Sequence, residues 1–121
     1  RVGSGGQERW MTSPPGSVRD ALEWLTKGFR PEACRGASVT YQLQLAGEGG
    51  GRFWLRIDDG HLQAREGEAP QSDVVFRLDA PDFYAILAGR ENPDLLFLAD
   101  RLAVEGDLSL ALKLRSFFGP A

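Results

Sequence analysis

One cysteine, one histidine and one methionine in 121 residues leave little material for covalent, metal or redox chemistry. Cys34 has no second cysteine to pair with, so a reducing compartment is permitted. A single His and a single Cys fall short of the ligand set that zinc requires, and no cofactor is expected. Clusters of Lys and Arg are missing too, and the net charge is -3 with a pI near 5.1. Binding to phosphate backbones needs a basic face, so nucleic acid is excluded as a partner, and so is strong electrostatic attachment to anionic lipid. No apolar run approaches the roughly 18 residues of a membrane span, so no stable membrane insertion is expected.

What is present is the composition of an ordinary globular domain, with 42% hydrophobic and 26% charged residues. The length suits one domain with a genuine core and is too short for two. Residues 1–17 are rich in Gly, Ser and Pro and carry no apolar periodicity, which predicts a disordered leader, linker or cloning remnant. They lack the apolar core of a signal peptide, and Met11 leaves open whether what precedes it is a remnant or the tail of a longer precursor. The folded domain is expected over residues 18–118.

From Ser17 the pattern becomes helical. Val18, Leu22, Leu25 and Phe29 recur on one face beside Ala21 and Trp24, with Arg19, Asp20, Glu23 and Lys27 opposite, and Ser17 and Asp20 in a capping arrangement. Gly28 and Pro31 end this helix. The period then changes to two: Val39, Tyr41, Leu43 and Leu45 alternate with Thr40, Gln42 and Gln44, a half-buried strand. A Gly47-to-Gly51 turn leads to Phe53, Leu55 and Ile57. Asp59-Gly60 is a two-residue hairpin signal that sets Ile57 opposite Leu62 and Leu55 opposite Ala64. Val74, Phe76 and Leu78 form a fourth strand, read as antiparallel like the others. Asp79 is the expected N-cap of a helix with Pro81 in its first turn, and Gly89 stops it. Asn92-Pro93 opens another helix, Leu102 and Val104 mark a fifth strand, and Asp107 caps a last helix running to Phe118. One sheet face is then wet and the other covered, an α+β arrangement in two layers.

Candidate catalytic groups have simpler explanations. His61 adjoins a tight turn where exposure is the default, Cys34 has no neighbour that would lower its pKa, and the many aspartates fall on turns and caps. Gly49-Gly50-Gly51 joins two strands instead of feeding a helix, and no Gly-Lys-Ser/Thr follows, so it is not a phosphate loop. Trp54 is out of phase with Phe53 and Leu55 and belongs to the other sheet face, either exposed to a partner or covered by the first helix.

The last third is richer in large apolar groups than a small domain needs. Leu110, Leu114, Phe117 and Phe118 make one stripe, and Leu108 and Leu112 widen it beyond what one sheet would bury, so something apolar is expected behind it.

The order of these pieces resembles a known family. The first helix, the Gly-Glu-Gly-Gly-Gly and Asp-Gly hairpins, Ser72-Asp73-Val74-Val75-Phe76, the Asp82-Phe83 helix, Gly89 with Asn92-Pro93, and above all Leu102-Ala103-Val104-Glu105-Gly106-Asp107 followed by Leu110-Ala111-Leu112-Lys113-Leu114 resemble the sterol carrier protein 2 domain over about residues 18–118. The resemblance implies a five-stranded, mostly antiparallel sheet with helices packed over one face. It also implies an apolar tunnel for sterols, fatty acyl chains, acyl-CoA or other lipids, isoprenoids among them. Where family members often carry Met and Ser-Gly, this chain reads Leu96-Phe97-Leu98-Ala99-Asp100-Arg101, closer to bacterial lipid-binding accessory proteins of ubiquinone biosynthesis. Phe118-Gly119-Pro120-Ala121 carries no peroxisomal Ser-Lys-Leu-type address, and a bacterial cytoplasmic location is expected.

On that frame, the positions whose periodicity points into one space are Phe83, Ile86, Leu87, Leu95, Leu98, Leu102, Leu110, Leu114 and Phe117. They are the expected lipid-binding residues, with no catalytic or metal-binding ones. Burying an acyl chain gains roughly 0.8 kcal/mol per methylene before ordering costs are subtracted. Two functions follow from this: a non-enzymatic carrier of a hydrophobic small molecule, or an accessory domain that presents a lipid intermediate to lipid-biosynthesis enzymes. Catalysis lacks the residues it would need, and the bland alternative is that the apolar last helix is simply core.

Overall fold

The computed structural model describes residues 16–119, so the expected leader up to residue 15, Met11 included, lies outside the described residues. Helix α1 (Val18–Gly28) begins as its sequence dictates: the Ser17 hydroxyl accepts from the Asp20 amide at 3.2 Å. It buries Val18, Ala21 and Leu25, residues three and four apart on one face, and leaves the charged face in solvent. A 3-10 turn (Pro31–Cys34) follows.

The sheet comprises β1 (Ser38–Ala46), β2 (Gly51–Asp58), β3 (His61–Glu66), β4 (Val74–Asp79) and β5 (Leu102–Gly106), in the order β3-β2-β1-β4-β5. The Asp-Gly hairpin has the expected register, Ile57 facing Leu62 and Leu55 facing Ala64. Asp59 and Gly60 both have positive φ, 47° and 85°, the type I′ geometry that matches strand twist and that Asp-Gly tolerates. Tyr41 pairs with Leu55 and Leu43 with Phe53, which gathers the alternating apolar side chains of the central strands on one face.

The expectation that the first four strands are all antiparallel is corrected here. β4 lies beside β1 and parallel to it, with Tyr41 opposite Val74 and Leu43 opposite Phe76. The β3–β4 loop makes this possible by crossing the outer sheet face, where the Gln42 side chain holds it. Gln42 Nε2 donates to the carbonyls of Phe53 and Gly67, both at 3.1 Å, and its Oε1 accepts from the Ala69 amide at 2.8 Å. Asp73 completes the crossover by accepting from the Thr40 amide. In consequence Thr40 and Gln42 are buried, and β1 is enclosed on both faces at its middle, not half-buried as alternation suggests.

Helices cover the other face. In α2 (Ala80–Leu87) Asp79 sits at the N-cap with extended backbone but makes no side-chain cap bond, and the chain leaves at Gly89 with φ 77°. Helix α3 (Pro93–Leu98) is capped by Asn92, whose side chain accepts from the Asp94 amide at 2.8 Å. Asp107 caps α4 (Leu108–Lys113) by accepting from the amides of Ser109 and Leu110. The last segment is not one helix as expected: after Lys113 it tightens into a 3-10 turn (Leu114–Phe117). It then returns to α1, where Phe29 and Phe118 form an antiparallel bridge and the Arg30 amide donates to the Phe117 carbonyl at 2.8 Å.

Candidate functional site

A cavity of about 630 Å³ lies between the covered sheet face and the helices, within the size range of small-molecule pockets. Its floor is the strand alternation itself, Leu43 of β1, Leu55 of β2, and Phe76 and Leu78 of β4. Phe83, Ile86 and Leu87 of α2 form one wall with Leu102 of β5, and Trp24 and Leu25 of α1 another. Ala111 and Leu114 complete the enclosure, and Arg30, Arg115, Phe118 and Gly119 contribute to its lining where the last segment meets α1.

Aromatic and polar ties fix these walls. Phe83 packs between Phe53 and Tyr84 with centroid separations of 5.7 and 5.9 Å, holding α2 on the sheet. The Tyr84 hydroxyl reaches the Gly49 carbonyl at 2.5 Å, which ties the glycine-rich β1–β2 turn to the same helix. Tyr41, fully buried, donates to the Leu110 carbonyl at 2.6 Å. Burial pushes its phenol well above the ordinary tyrosine range, and the nearby Cys34, Asp73 and Asp107 push it in the same direction.

Of the residues read from sequence, Phe83, Ile86, Leu87, Leu102 and Leu114 lie on the cavity lining. Phe117 is buried in the core and Leu110 packs against it, and neither lines the cavity. The inward reading of Leu95 and Leu98 is corrected: they are 61% and 77% exposed, while Leu96 is 2% exposed. α3 is only six residues long and its carboxy-terminal neighbours lead straight into β5, so the short helix can bury just one leucine under it. Leu108 and Leu112 are likewise exposed, so the wide stripe of the last helix does not mark something buried behind it. Trp24 and the floor residues are cavity-lining positions not singled out from sequence. Their alternation carries no mark that separates a cavity floor from close-packed core.

Cys34, His61 and Trp54 lie outside the lining of this cavity. Cys34 is buried, its thiol 3.3 Å from the Arg30 carbonyl and pushed up by burial and then by Glu32. His61 is exposed on the hairpin, with Nδ1 3.3 Å from the Asp58 carbonyl. Trp54 is half-exposed on the outer face, in register with Gln42 and Arg65. A second depression of about 590 Å³, near the ends of β1 and β4, is lined by Arg52, Arg77, Asp79, Asp100 and Arg101 among others. Leu45, Ala46 and Leu78 share that lining with the charged groups. Among the described residues no helix is long and apolar enough to cross a membrane. The first cavity can desolvate an apolar chain and offers no aligned nucleophile and base to attack one.

Residues 22–119 match the model of the SCP-2 sterol transfer family. The hydroxysteroid dehydrogenase-like protein 2 of Xenopus tropicalis is 34% identical over 109 residues, covering 89% of this chain and 25% of the relative. The chain thus spans about a quarter of the length of the curated relatives it matches. Among solved structures, the sec-alkylsulfatase Pisa1 from Pseudomonas sp. superposes on 80% of this chain with TM-score 0.70 and 17% identity, using 15% of its own length. Sterol Carrier Protein 2 Like 2 from Aedes aegypti superposes on 82% of this chain and 91% of its own, with TM-score 0.64 and 17% identity. At these identities the structural likeness is one of fold.

Proposed function

The chain belongs to the SCP-2 sterol transfer family, and from that premise we propose that residues 18–118 form a cytoplasmic, non-catalytic domain that binds and transfers a hydrophobic ligand. The ligand is a fatty acyl chain, an acyl-CoA, a sterol-like molecule or an isoprenoid lipid. The observation that carries this reading is the cavity of about 630 Å³, floored by Leu43, Leu55, Phe76 and Leu78 and walled by α2. Binding there is driven by desolvation of the chain, roughly 25 cal/mol for each Å² of apolar surface removed from water. Part of that gain is spent on association and ordering. Native mass spectrometry of the protein purified from its own host tests the reading directly. A retained lipid that leaves on organic extraction supports it, and a cavity filled by side chains in a ligand-free crystal would remove it.

A second reading is favoured by the coverage of the relatives, in which the matched segment is about a quarter of a longer chain named dehydrogenase-like. Here the domain presents a lipid intermediate to a partner enzyme or an attached catalytic unit. Copurification of lipid-biosynthesis enzymes with the protein, dependent on bound lipid, separates this from a free carrier.

A further inference from the structure

Two short helices beside the cavity carry apolar side chains on both their inner and outer faces. Pro93 of α3, Ala111 of α4, and Leu114 and Arg115 of the turn after it line the cavity. Leu95, Phe97 and Leu98 of α3 and Leu108 and Leu112 of α4 face solvent instead, at 61%, 44%, 77%, 51% and 57% exposure. Leu95 and Leu98 are three apart and Leu108 and Leu112 four apart, so each pair forms a row along one helix face. An ion pair draws the rows together: Arg115, one turn beyond Leu112, donates from Nη2 to Oδ1 of Asp94, next to Leu95, at 2.6 Å.

At roughly 200 Å² for a fully exposed side chain of this size, the five residues present about 600 Å² to solvent, the upper end of what a monomer ordinarily leaves in one apolar patch. A stable dimer needs about 800 Å² from each partner. Protein interfaces also concentrate Trp, Tyr and Arg in place of leucine, so the patch is too small and too aliphatic for a second copy. Charge argues in the same direction, because Asp94 and Asp107 balance Lys113 and Arg115 along these elements. No net field is left for an acidic or basic partner to complement.

We propose that this leucine face docks the protein reversibly on a zwitterionic lipid surface, with the cavity opening between α3 and α4 toward the bilayer. This rests on the cavity reading above and adds the route by which ligand is exchanged. Leucines seated at the boundary of headgroups and acyl chains lose water without burying an unpaired polar group. The two helices can part there at low cost, since α3 buries only Leu96 and α4 buries no residue. A chain leaving the cavity then passes from one apolar phase to another without crossing water.

The test uses the full chain and sucrose-loaded vesicles of palmitoyl-oleoyl-phosphatidylcholine, sedimented with the protein at increasing lipid. The parent should co-sediment, and raising salt to about 0.5 M should leave its partition within about twofold. Replacing about a third of the lipid by phosphatidylglycerol should not strengthen binding. Leu98→Ser and Leu112→Ser should each lower partition roughly tenfold, the loss for one leucine withdrawn from an apolar phase. Neither residue lines the cavity, so in solution both variants should keep displacement of the probe N-phenyl-1-naphthylamine by dodecanoate within about twofold of the parent. No sedimentation of the parent, binding unchanged in both variants, or binding that needs anionic lipid and is lost in salt would overturn the docking face while leaving the cavity in place. A parent dimer that Leu98→Ser dissociates in equilibrium ultracentrifugation would overturn it too, by giving the face to a second copy. A parent that binds vesicles but takes up neither probe nor dodecanoate in solution would overturn the cavity reading, and the exchange route with it.

Discussion

The Tyr41 hydroxyl, carried at the middle of the central strand, donates to the Leu110 carbonyl 2.6 Å away and is the polar tie between the sheet and α4. The rest of that helix is held weakly, since none of its residues is buried. Tyr41→Phe should therefore cost about 1 kcal/mol in urea denaturation, the usual net value of one such bond. It should also loosen α4 first, visible as faster amide exchange at Ala111 and Leu112 than in the strands. Unchanged exchange there would show that Leu114 and Phe117 alone hold the segment.

The same phenol predicts an alkaline limit. Its folded pKa is raised, so the unfolded chain gives up the proton first, and the associated stability is complete below about pH 10 and lost as pH rises beyond it. Tyr84, raised by burial, acts in the same direction. The melting temperature should fall above about pH 10, more steeply in the parent than in Tyr41→Phe. Parallel slopes for the two proteins would place the alkaline loss elsewhere.

Leucines three residues apart or closer in α3 should respond very differently. Leu96→Ala removes a side chain that is 2% exposed and should cost roughly 2 to 4 kcal/mol, whereas Leu98→Ser, at 77% exposure, should stay within about 0.5 kcal/mol. Thermal melts of the two variants settle which leucine holds the helix down.

On the cavity wall the readout shifts from stability to affinity. Leu114→Gln sets an amide against the bound chain without burying it fully in the apo protein, where Leu114 is already half-exposed to the cavity. Affinity for a fluorescent fatty acid should fall on the order of tenfold, the cost of desolvating one unpaired amide, with a melting shift of a few degrees at most. An unchanged affinity would take Leu114 out of the ligand's path.

Gln42→Leu should be expensive despite its good volume match. The amide makes bonds to Phe53, Gly67 and Ala69, and its loss frees the loop that carries the chain across the sheet, so roughly 2 to 3 kcal/mol is expected. Proteolysis within residues 67–73 should accelerate in parallel.

Gln42 also shows where the sequence stops being legible. Period-two alternation located every strand, and Asp59-Gly60 set the β2–β3 register, because turn geometry and side-chain direction are local properties. That Gln42 is buried, and that β4 joins β1 in parallel, depends on where a loop crosses, which no local pattern encodes. The caps at Ser17, Asn92 and Asp107 were readable for the same local reason. The face of α3 was not: six residues make less than two turns, too short a sample for a helical period to choose Leu96 over Leu95 and Leu98. Phe83, Ile86 and Leu87 lie on the cavity lining, but an inward-pointing period describes a cavity wall and a packed core equally well. Only the space between α1, α2 and the sheet distinguishes them.

The bridge between Phe29 and Phe118 joins residues at nearly opposite ends of the described chain. On a ribosome the sheet's first three strands and α1 emerge well before residues 114–119, so the pocket is left open along one side until those residues follow. Closing it waits for that segment, and a hydrophobic ligand or chaperone meeting the nascent chain before then would find the floor of the cavity exposed without its rim.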